Sequence, residues 1–209
     1  MGRVTPRDRE IVATLALRVR VLSLAQIART WWEPEVAGGS VRERLRHLVR
    51  AGWLSTLRPN LHPELPLCAP LVAWCVGDPE PRFGAVAHQL KARWTEASAP
   101  TPVFVATKKA AHHFGGTHGI RRPLQLNHDY HVAALYVQLL REKPLSAALW
   151  ISEETLAPER RHEKLPDAVL RAPDGTISLV LEFGGSYDAE HVRRVHVDCV
   201  RRALPYELW

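Results

Sequence analysis

The chain has 209 residues, 46% of them apolar, enough for two small domains that each bury a core of their own. Cys68, Cys75 and Cys199 are odd in number, widely spaced and set among apolar letters, which excludes a disulfide frame or a zinc knuckle and predicts reduced packing residues. The net charge is +6, and residues 1–60, with eleven Arg, no Lys and five acids, carry all of that excess.

Such asymmetry is expected of a polyanion-binding module joined to a neutral partner domain. No stretch approaches the roughly 20 apolar residues needed to cross a bilayer, and MGRVTPRDRE lacks an apolar signal region. The expectation is a cytoplasmic protein with no membrane partner.

Thr5 is positioned to cap a first helix with Pro6 at its first turn, and Ile11, Leu15 and Val19 keep helical spacing. Ser23 caps a short second helix, LAQIART, after which WWEPEVAGG breaks the chain. Ser40 is expected to cap a third helix, VRERLRHLVRAG. There Val41, Leu45 and Leu48 form the buried stripe, and Arg42, Glu43, Arg46, His47 and Arg50 form the exposed side, ending at Gly52. Three helices and the following WLSTLRP strand predict a winged helix-turn-helix over residues 1–76.

The spacing leaves Arg42 and Arg46 one turn apart on the outer face, where a helix in a major groove presents them to base edges or phosphates. Arg44 and Arg50 flank that row as phosphate contacts. The wing is expected as a hairpin from Trp53 to about Cys75, with Arg58, Asn60 and His62 near its tip.

Residues 77–127 read as connecting helices and linker: a helix in RFGAVAHQLKARW with Phe83, Val86, Leu90 and Trp94 inward, the linker-like TEASAPTP, the strand VFVAT and the helix KKAAHHFGG. His112, His113, His118, His128 and His131 lack a nearby converging carboxylate at metal-ligand spacing, so they read as packing, capping or phosphate-contacting residues.

Residues 128–209 fall into the order helix, three strands, helix, strand. HDYHVAALYVQLLREK is an amphipathic helix, and AALWI, DAVLR and TISLVLEF are strands, the last two joined by an Ala172–Gly175 turn. A helix opened by Ser186 or Asp188 follows, with Val192, Val195, Cys199 and Val200 inward, and PYELW closes the chain as a strand. The fold class expected is α+β or α/β, a winged helix-turn-helix followed by an αβββαβ restriction-endonuclease-like domain.

Asp167 in Pro166-Asp167 and Glu182 in Leu-Glu-Phe-Gly resemble the metal-holding hairpin of the PD-(D/E)xK nucleases. There two carboxylates hold Mg2+ and a lysine two residues past the glutamate orients the attacking water. Gly184 stands at the lysine position; Lys164, Arg193 or Arg194 are the candidate substitutes, and Glu142, Glu153 or Glu154 a candidate further ligand. Either no cofactor or Mg2+ follows, according to whether the domain is disarmed or active. A structural alternative pairs Glu182 with Arg193 or Arg194, and Gly184-Gly185 would let a backbone or a phosphate approach closely.

Taken together, TPRDREIVATLA, LSLAQIART, SVRERLRHLVRAGWL and PDAVLRAPDG…LVLEF, followed by an arginine-bearing helix, resemble the replication-relaxation family across most of the chain. The resemblance implies a double-stranded DNA-binding protein, accessory to plasmid or mobile-element replication, mobilisation or transcriptional control. It also implies a nuclease-like domain whose late strand ends in an acid without the lysine. A homodimer or a replication or mobilisation protein is the further partner it suggests. The rivals are a Mg2+-dependent endonuclease targeted by the winged helix and a scaffold that docks protein.

Overall fold

The computed structural model describes residues 4–33, 38–120, 123–159 and 165–209. In chain order they form α1 (Pro6–Leu17), β1 (Leu22–Ser23), α2 (Leu24–Trp31), α3 (Gly38–Arg50), β2 (Leu54–Leu57), β3 (Asn60–Leu61), β4 (Val72–Trp74), α4 (Phe83–Ala92), β5 (Ala99–Pro100) and β6 (Val103–Ala106). They continue with α5 (Lys108–Phe114), α6 (Leu126–Glu142), α7 (Pro144–Ala148), β7 (Trp150–Ser152), α8 (Glu153–Leu156), β8 (Ala168–Arg171), β9 (Ile177–Glu182), α9 (Ala189–Arg201) and β10 (Tyr206–Leu208). The protein is of mixed α+β class. Part of the expected WWEPEVAGG break, residues 34–37, lies outside the described residues.

The chain divides into two compact units, residues 1–64 with 98–142 and residues 65–97 with 143–209. These limits differ from the boundaries expected at 76 and 127, because the chain passes between units inside the segment read as a wing and again inside the segment read as a linker.

In the first unit, local capping fixes the helix starts. Thr5 and Asp8 exchange reciprocal bonds at α1, the Asp8 carboxylate accepting the Thr5 N–H at 2.6 Å, and Ser23 and Gln26 do the same at α2. Gln26 Nε2 also donates to the Tyr130 carbonyl at 3.1 Å, tying α2 to α6. Ile11, Val12, Leu15, Ile27, Val41, Leu45 and Leu48 are buried together at the helical spacing that the sequence shows.

β1, β6 and β2 form an antiparallel sheet in that spatial order. The β2–β6 register, Leu57 opposite Val103, continues unbroken into Asn60 opposite Pro100 and Leu61 opposite Ala99, so residues 54–61 and 99–106 make one long antiparallel ribbon. This corrects the expected hairpin from Trp53 to Cys75: the returning strand comes from the VFVA run. The apolar Val72–Trp74 run instead pairs with β10 in the second unit, where Val72 and Trp74 are buried and Ala73 is exposed.

The second unit is built on a five-stranded sheet of order β4-β10-β9-β8-β7. β7, β8 and β9 are antiparallel neighbours; α9 then carries the chain across to β10, parallel to β9. The β8–β9 turn closes through Gly175, whose φ of +88° suits glycine, with the Gly175 N–H on the Ala172 carbonyl at 2.9 Å. Val86 and Leu90 of α4 and Val192, Val195 and Cys199 of α9 pack on Val169, Val180, Tyr206 and Leu208.

Three expectations are corrected here. The helix at 128–143 belongs to the first unit, where α6 packs on α2, β1 and β3, and α4 takes the place beside α9. Val200 turns outward at 47% exposure, since Val192, Val195 and Cys199 already fill the buried seam. Cys68 and Cys75 are exposed, because Cys68 lies outside the regular strands and Cys75 follows the end of β4; Cys199 alone of the three is buried.

Candidate functional site

The buried stripe of α3 at 41, 45 and 48 dictates what faces outward. Arg42, Arg46 and Arg50, at i, i+4 and i+8, are all exposed and form one row two turns long. Among the described residues none of the three has an ion-pair partner. Glu43 is exposed beside the row and His47 is half-buried. Ser40 is exposed but is not the cap: α3 begins at Gly38, because the two glycines accept helical torsions and extend the first turn. Arg58 and Asn60 are exposed along the ribbon, not at the tip of a short hairpin.

Arg44 departs from its expected role as a flanking phosphate contact. Its Nε donates to Asp8 Oδ1 at 2.9 Å and its Nη2 also bonds the same carboxylate, which is wholly buried. Burial alone would raise the Asp8 pKa; the bonds from Arg44 and from the Thr5 amide and hydroxyl outweigh it and hold the carboxyl below the ordinary 3.8. Other arginines of the front segment are also structural. Arg20 bonds Asp129 at 3.0 Å, Arg29 bonds Glu64, and the Arg7 guanidinium lies 3.9 Å from the centre of the Trp32 ring. Asp129 and Glu64 come from later in the chain, so the excess charge of residues 1–60 is partly neutralised on folding. Of this segment's exposed arginines without an ion-pair partner among the described residues, Arg42, Arg46 and Arg50 stand on α3, and Arg7, Arg9 and Arg58 lie elsewhere.

In the second unit, the β8–β9 register sets Ala168 opposite Leu181, which places Asp167 beside Glu182 at the strand ends. The Phe183 N–H donates to Asp167 Oδ2 at 2.8 Å, and the Tyr187 hydroxyl donates to Glu182 Oε2 at 3.4 Å. Glu182 is 3% exposed. Burial, with the neighbouring charges of Glu182, Asp167 and Glu153, pushes the Tyr187 pKa far up, so its phenol stays a proton donor to Glu182. Tyr187 was not legible as part of this cluster, since nothing in SYDAEH marks a tyrosine just before a helix cap as a carboxylate partner.

Gly184 shows why no lysine stands there. A Cβ on it would lie 2.6 and 2.8 Å from the Leu90 methyls and 3.2 Å from Leu208, so the space is filled by apolar packing from α4 and β10. Gly185 likewise serves packing: its carbonyl accepts from Trp94 Nε1 at 3.0 Å and from Arg93, a cation that burial lowers to about pKa 10. The close approach expected for a phosphate is therefore made by α4 and the residues just after it.

Of the three proposed substitute cations, neither of the two described ones is brought to the carboxylates. Arg193 bonds Glu190 at 3.1 Å on the outer face of α9, Arg194 is exposed, and Lys164 lies outside the described residues. Among the described residues the alternative ion pair of Glu182 with Arg193 or Arg194 is not formed either. Glu142 falls in the first unit and Glu154 is half-buried at α8, whereas Glu153, whose N–H donates to the Asp167 carbonyl at 3.0 Å, stands next to the pair. Among the described residues no three His, Cys, Asp or Glu converge as a metal site. Asp167 and Glu182 lie side by side, one oxygen of Asp167 on the Phe183 amide and one of Glu182 on the Tyr187 phenol, and the space of the motif lysine beside them is packed.

Of the five histidines of the expected cluster, all lie in the first unit. His131 is wholly buried, with Nδ1 2.8 Å from the Asn127 carbonyl and Nε2 3.2 Å from the Pro63 carbonyl, so both ring nitrogens are engaged. No helix among the described residues is long and apolar enough to cross a membrane. Compared with models of known protein families, with curated proteins and with solved structures, the chain gives no match.

Proposed function

We propose that the chain is a double-stranded DNA-binding protein of the replication-relaxation type, cytoplasmic, whose first unit is a winged helix-turn-helix with α3 as the recognition helix. The element order α1-β1-α2-α3-β2-β6 and the spatial order β1-β6-β2 support that reading, since a winged helix lays its first short strand beside the strand that returns from the wing. The ribbon of residues 54–61 and 99–106 is then the wing, interrupted by the segment that enters the second unit. The single observation that carries the proposal is the exposed row Arg42, Arg46 and Arg50 on a helix whose opposite face is buried.

The second unit is read as a PD-(D/E)xK nuclease-like fold without its complete chemistry, serving as an added DNA surface or a contact for a second copy or a replication or mobilisation protein. Its three-strand meander, crossing helix and parallel last strand support this, with α4 supplying the helix that precedes the meander in space. The adjacent Asp167 and Glu182 favour one alternative, a Mg2+-dependent endonuclease; the filled space at Gly184 and the Tyr187 phenol weigh against it.

The test is fluorescence anisotropy with labelled duplexes, random-sequence and selected, over a salt series. The expected result is binding whose affinity falls steeply with salt, because arginine–phosphate contacts release counterions. Absence of any salt-sensitive retention would favour the protein-docking scaffold instead.

A further inference from the structure

A second feature of the first unit lies away from the outward row of α3. Val4, Arg9 and Val12 from the start of the chain and α1, Trp53 from the α3–β2 junction, and His113 and Phe114 from the end of α5 line an open cleft of about 310 Å³. That is the lower end of the size of small-molecule sites, which combine aromatic walls with a few fixed polar groups. Its walls here are an indole, an imidazole, a phenyl ring and a valine side chain that is 1% exposed.

The walls are held in place independently of any ligand. Thr107 Oγ1 donates to the Gly52 and Trp53 carbonyls at 2.6 and 3.2 Å while capping α5, and the Trp53 N–H returns to the Leu48 carbonyl of α3 at 3.0 Å. α5 is seated against α1 through Gly116, where a Cβ would lie 2.1 Å from the Ala16 oxygen, a contact that only glycine permits. Trp53 and His113 meet edge to face with centroids 5.2 Å apart, and the Lys109 ammonium sits 4.3 Å from the centre of the indole ring.

The polar groups are cationic. Arg9 lines the cleft and is exposed, and among the described residues it has no ion-pair partner. Lys109 stands beside the same indole, its ammonium donating to the Ala51 carbonyl at 2.8 Å. A preformed aromatic cleft with an uncompensated guanidinium at its wall suits a flat ring bearing an anionic group: the ring stacks or meets edges, and the anion takes a charge-assisted bond from Arg9. We propose that this cleft binds a small planar aromatic anion, an aromatic carboxylate or its like, at a site separate from the α3 surface.

The titrations use the full chain without DNA, so their outcome does not depend on the DNA-binding reading, and a duplex is added only afterwards. Salicylate is titrated while 1H–15N spectra report on the Trp53 indole and on the amides of Arg9 and His113; salicylamide, the neutral counterpart, is titrated in parallel. The expected result is a saturable shift confined to those signals, at least tenfold weaker for salicylamide. Arg9→Gln, on an exposed side chain, should weaken salicylate at least tenfold and leave salicylamide and the melting temperature unchanged. No saturable shift up to the solubility of salicylate, or saturable shifts that Arg9→Gln leaves intact, would overturn the proposal. Displacement of salicylate by a duplex that moves the same signals would overturn it too, by making the cleft part of the DNA surface.

Discussion

Arg44 of α3 and Asp8 of α1 form an ion pair in which the carboxylate is wholly buried and the guanidinium side chain keeps 23% of its exposure. The pair ties α3 to α1 at the point where Asp8 also closes the capping box with Thr5. The asymmetry of burial decides what each substitution does. Arg44→Met leaves a buried carboxylate without its cation and should cost about 3 kcal/mol, the scale for breaking a buried pair. Asp8→Asn leaves a guanidinium that can turn to water, and should cost less, at about 1 to 2 kcal/mol. Urea unfolding of both variants and the double variant checks this, and a double variant no more damaged than Arg44→Met alone is the expected coupling.

Acid should act on the two units in separate windows. His196 of α9 is buried with Nδ1 3.1 Å from the Tyr206 hydroxyl and packed against Trp74 and Phe83; burial lowers its pKa below the ordinary 6.5, with Glu80 opposing. The unfolded chain therefore binds this proton more readily. The stability it contributes is complete above 6.5 and is lost as pH falls through the lower folded value. Asp8 follows the same sign lower down: its contribution is complete above 3.8 and is lost only as pH falls through its depressed folded pKa. Acid titration by tryptophan fluorescence should show loss beginning below 6.5 in the second unit. His196→Gln should flatten that first phase and leave the one due to Asp8 in place.

On α3 the three outward arginines should separate from Arg44 in kind. Each of Arg42→Ala, Arg46→Ala and Arg50→Ala should leave stability within about 0.5 kcal/mol, as exposed substitutions do. Each should lower the slope of log affinity against log salt by about 0.9 where it neutralises a phosphate, and a base-reading contact should cost about 1 to 3 kcal/mol with relaxed sequence choice. Arg44→Met should reduce the folded fraction and leave the slope of the folded protein unchanged. Anisotropy titrations beside melting curves discriminate the two patterns, and equal salt slopes in all four variants would remove α3 from the interface.

The glycine at the end of β9 gives a packing prediction. A side chain at 184 must displace Leu90, whose methyls would stand 2.6 and 2.8 Å from the new Cβ. Gly184→Ala should destabilise by about 1 to 3 kcal/mol, the usual cost of overfilling a core. Leu90→Ala alone should cost about 2 to 5 kcal/mol through the cavity it leaves. Because the two occupy one space, the double variant should lose less than the two single losses together, measured by chemical unfolding.

How far the sequence carried the reading depended on whether the information was local. The seam Val41, Leu45, Leu48 and the caps Thr5 and Ser23 were legible because helical spacing and cap chemistry act within a few residues. The strands at 168–171 and 177–182 and the glycine turn between them were legible on the same ground. Pairings were not. The apolar stripe of α6 announces that a face is covered, and α4 shows an equally good stripe. Which of the two packs against α9 is a tertiary fact that periodicity does not encode. The partner of β2 failed likewise, since Val72–Trp74 and Val103–Ala106 are both apolar and only long-range register separates them. In the candidate site, Arg42, Arg46 and Arg50 followed from the seam, whereas the inward turn of Arg44 required knowing that Asp8 lies across from it.

The endonuclease alternative is settled by plasmid. Supercoiled DNA incubated with the protein and Mg2+ or Mn2+ should remain supercoiled. Asp167 and Glu182 already hold the Phe183 amide and the Tyr187 phenol, and the lysine space beside them is packed. Tyr187→Phe removes the phenol proton and leaves Glu182, 3% exposed, without that donor, so it should destabilise by about 1 to 3 kcal/mol without creating nicking activity. Glu182→Gln should be better tolerated than Tyr187→Phe, because an amide oxygen still accepts the phenol proton and no buried charge remains to be stabilised. Metal-dependent nicking by the unaltered protein, abolished in Asp167→Ala/Glu182→Ala while the fold survives by circular dichroism, would establish the enzyme and overturn the reading of a disarmed domain.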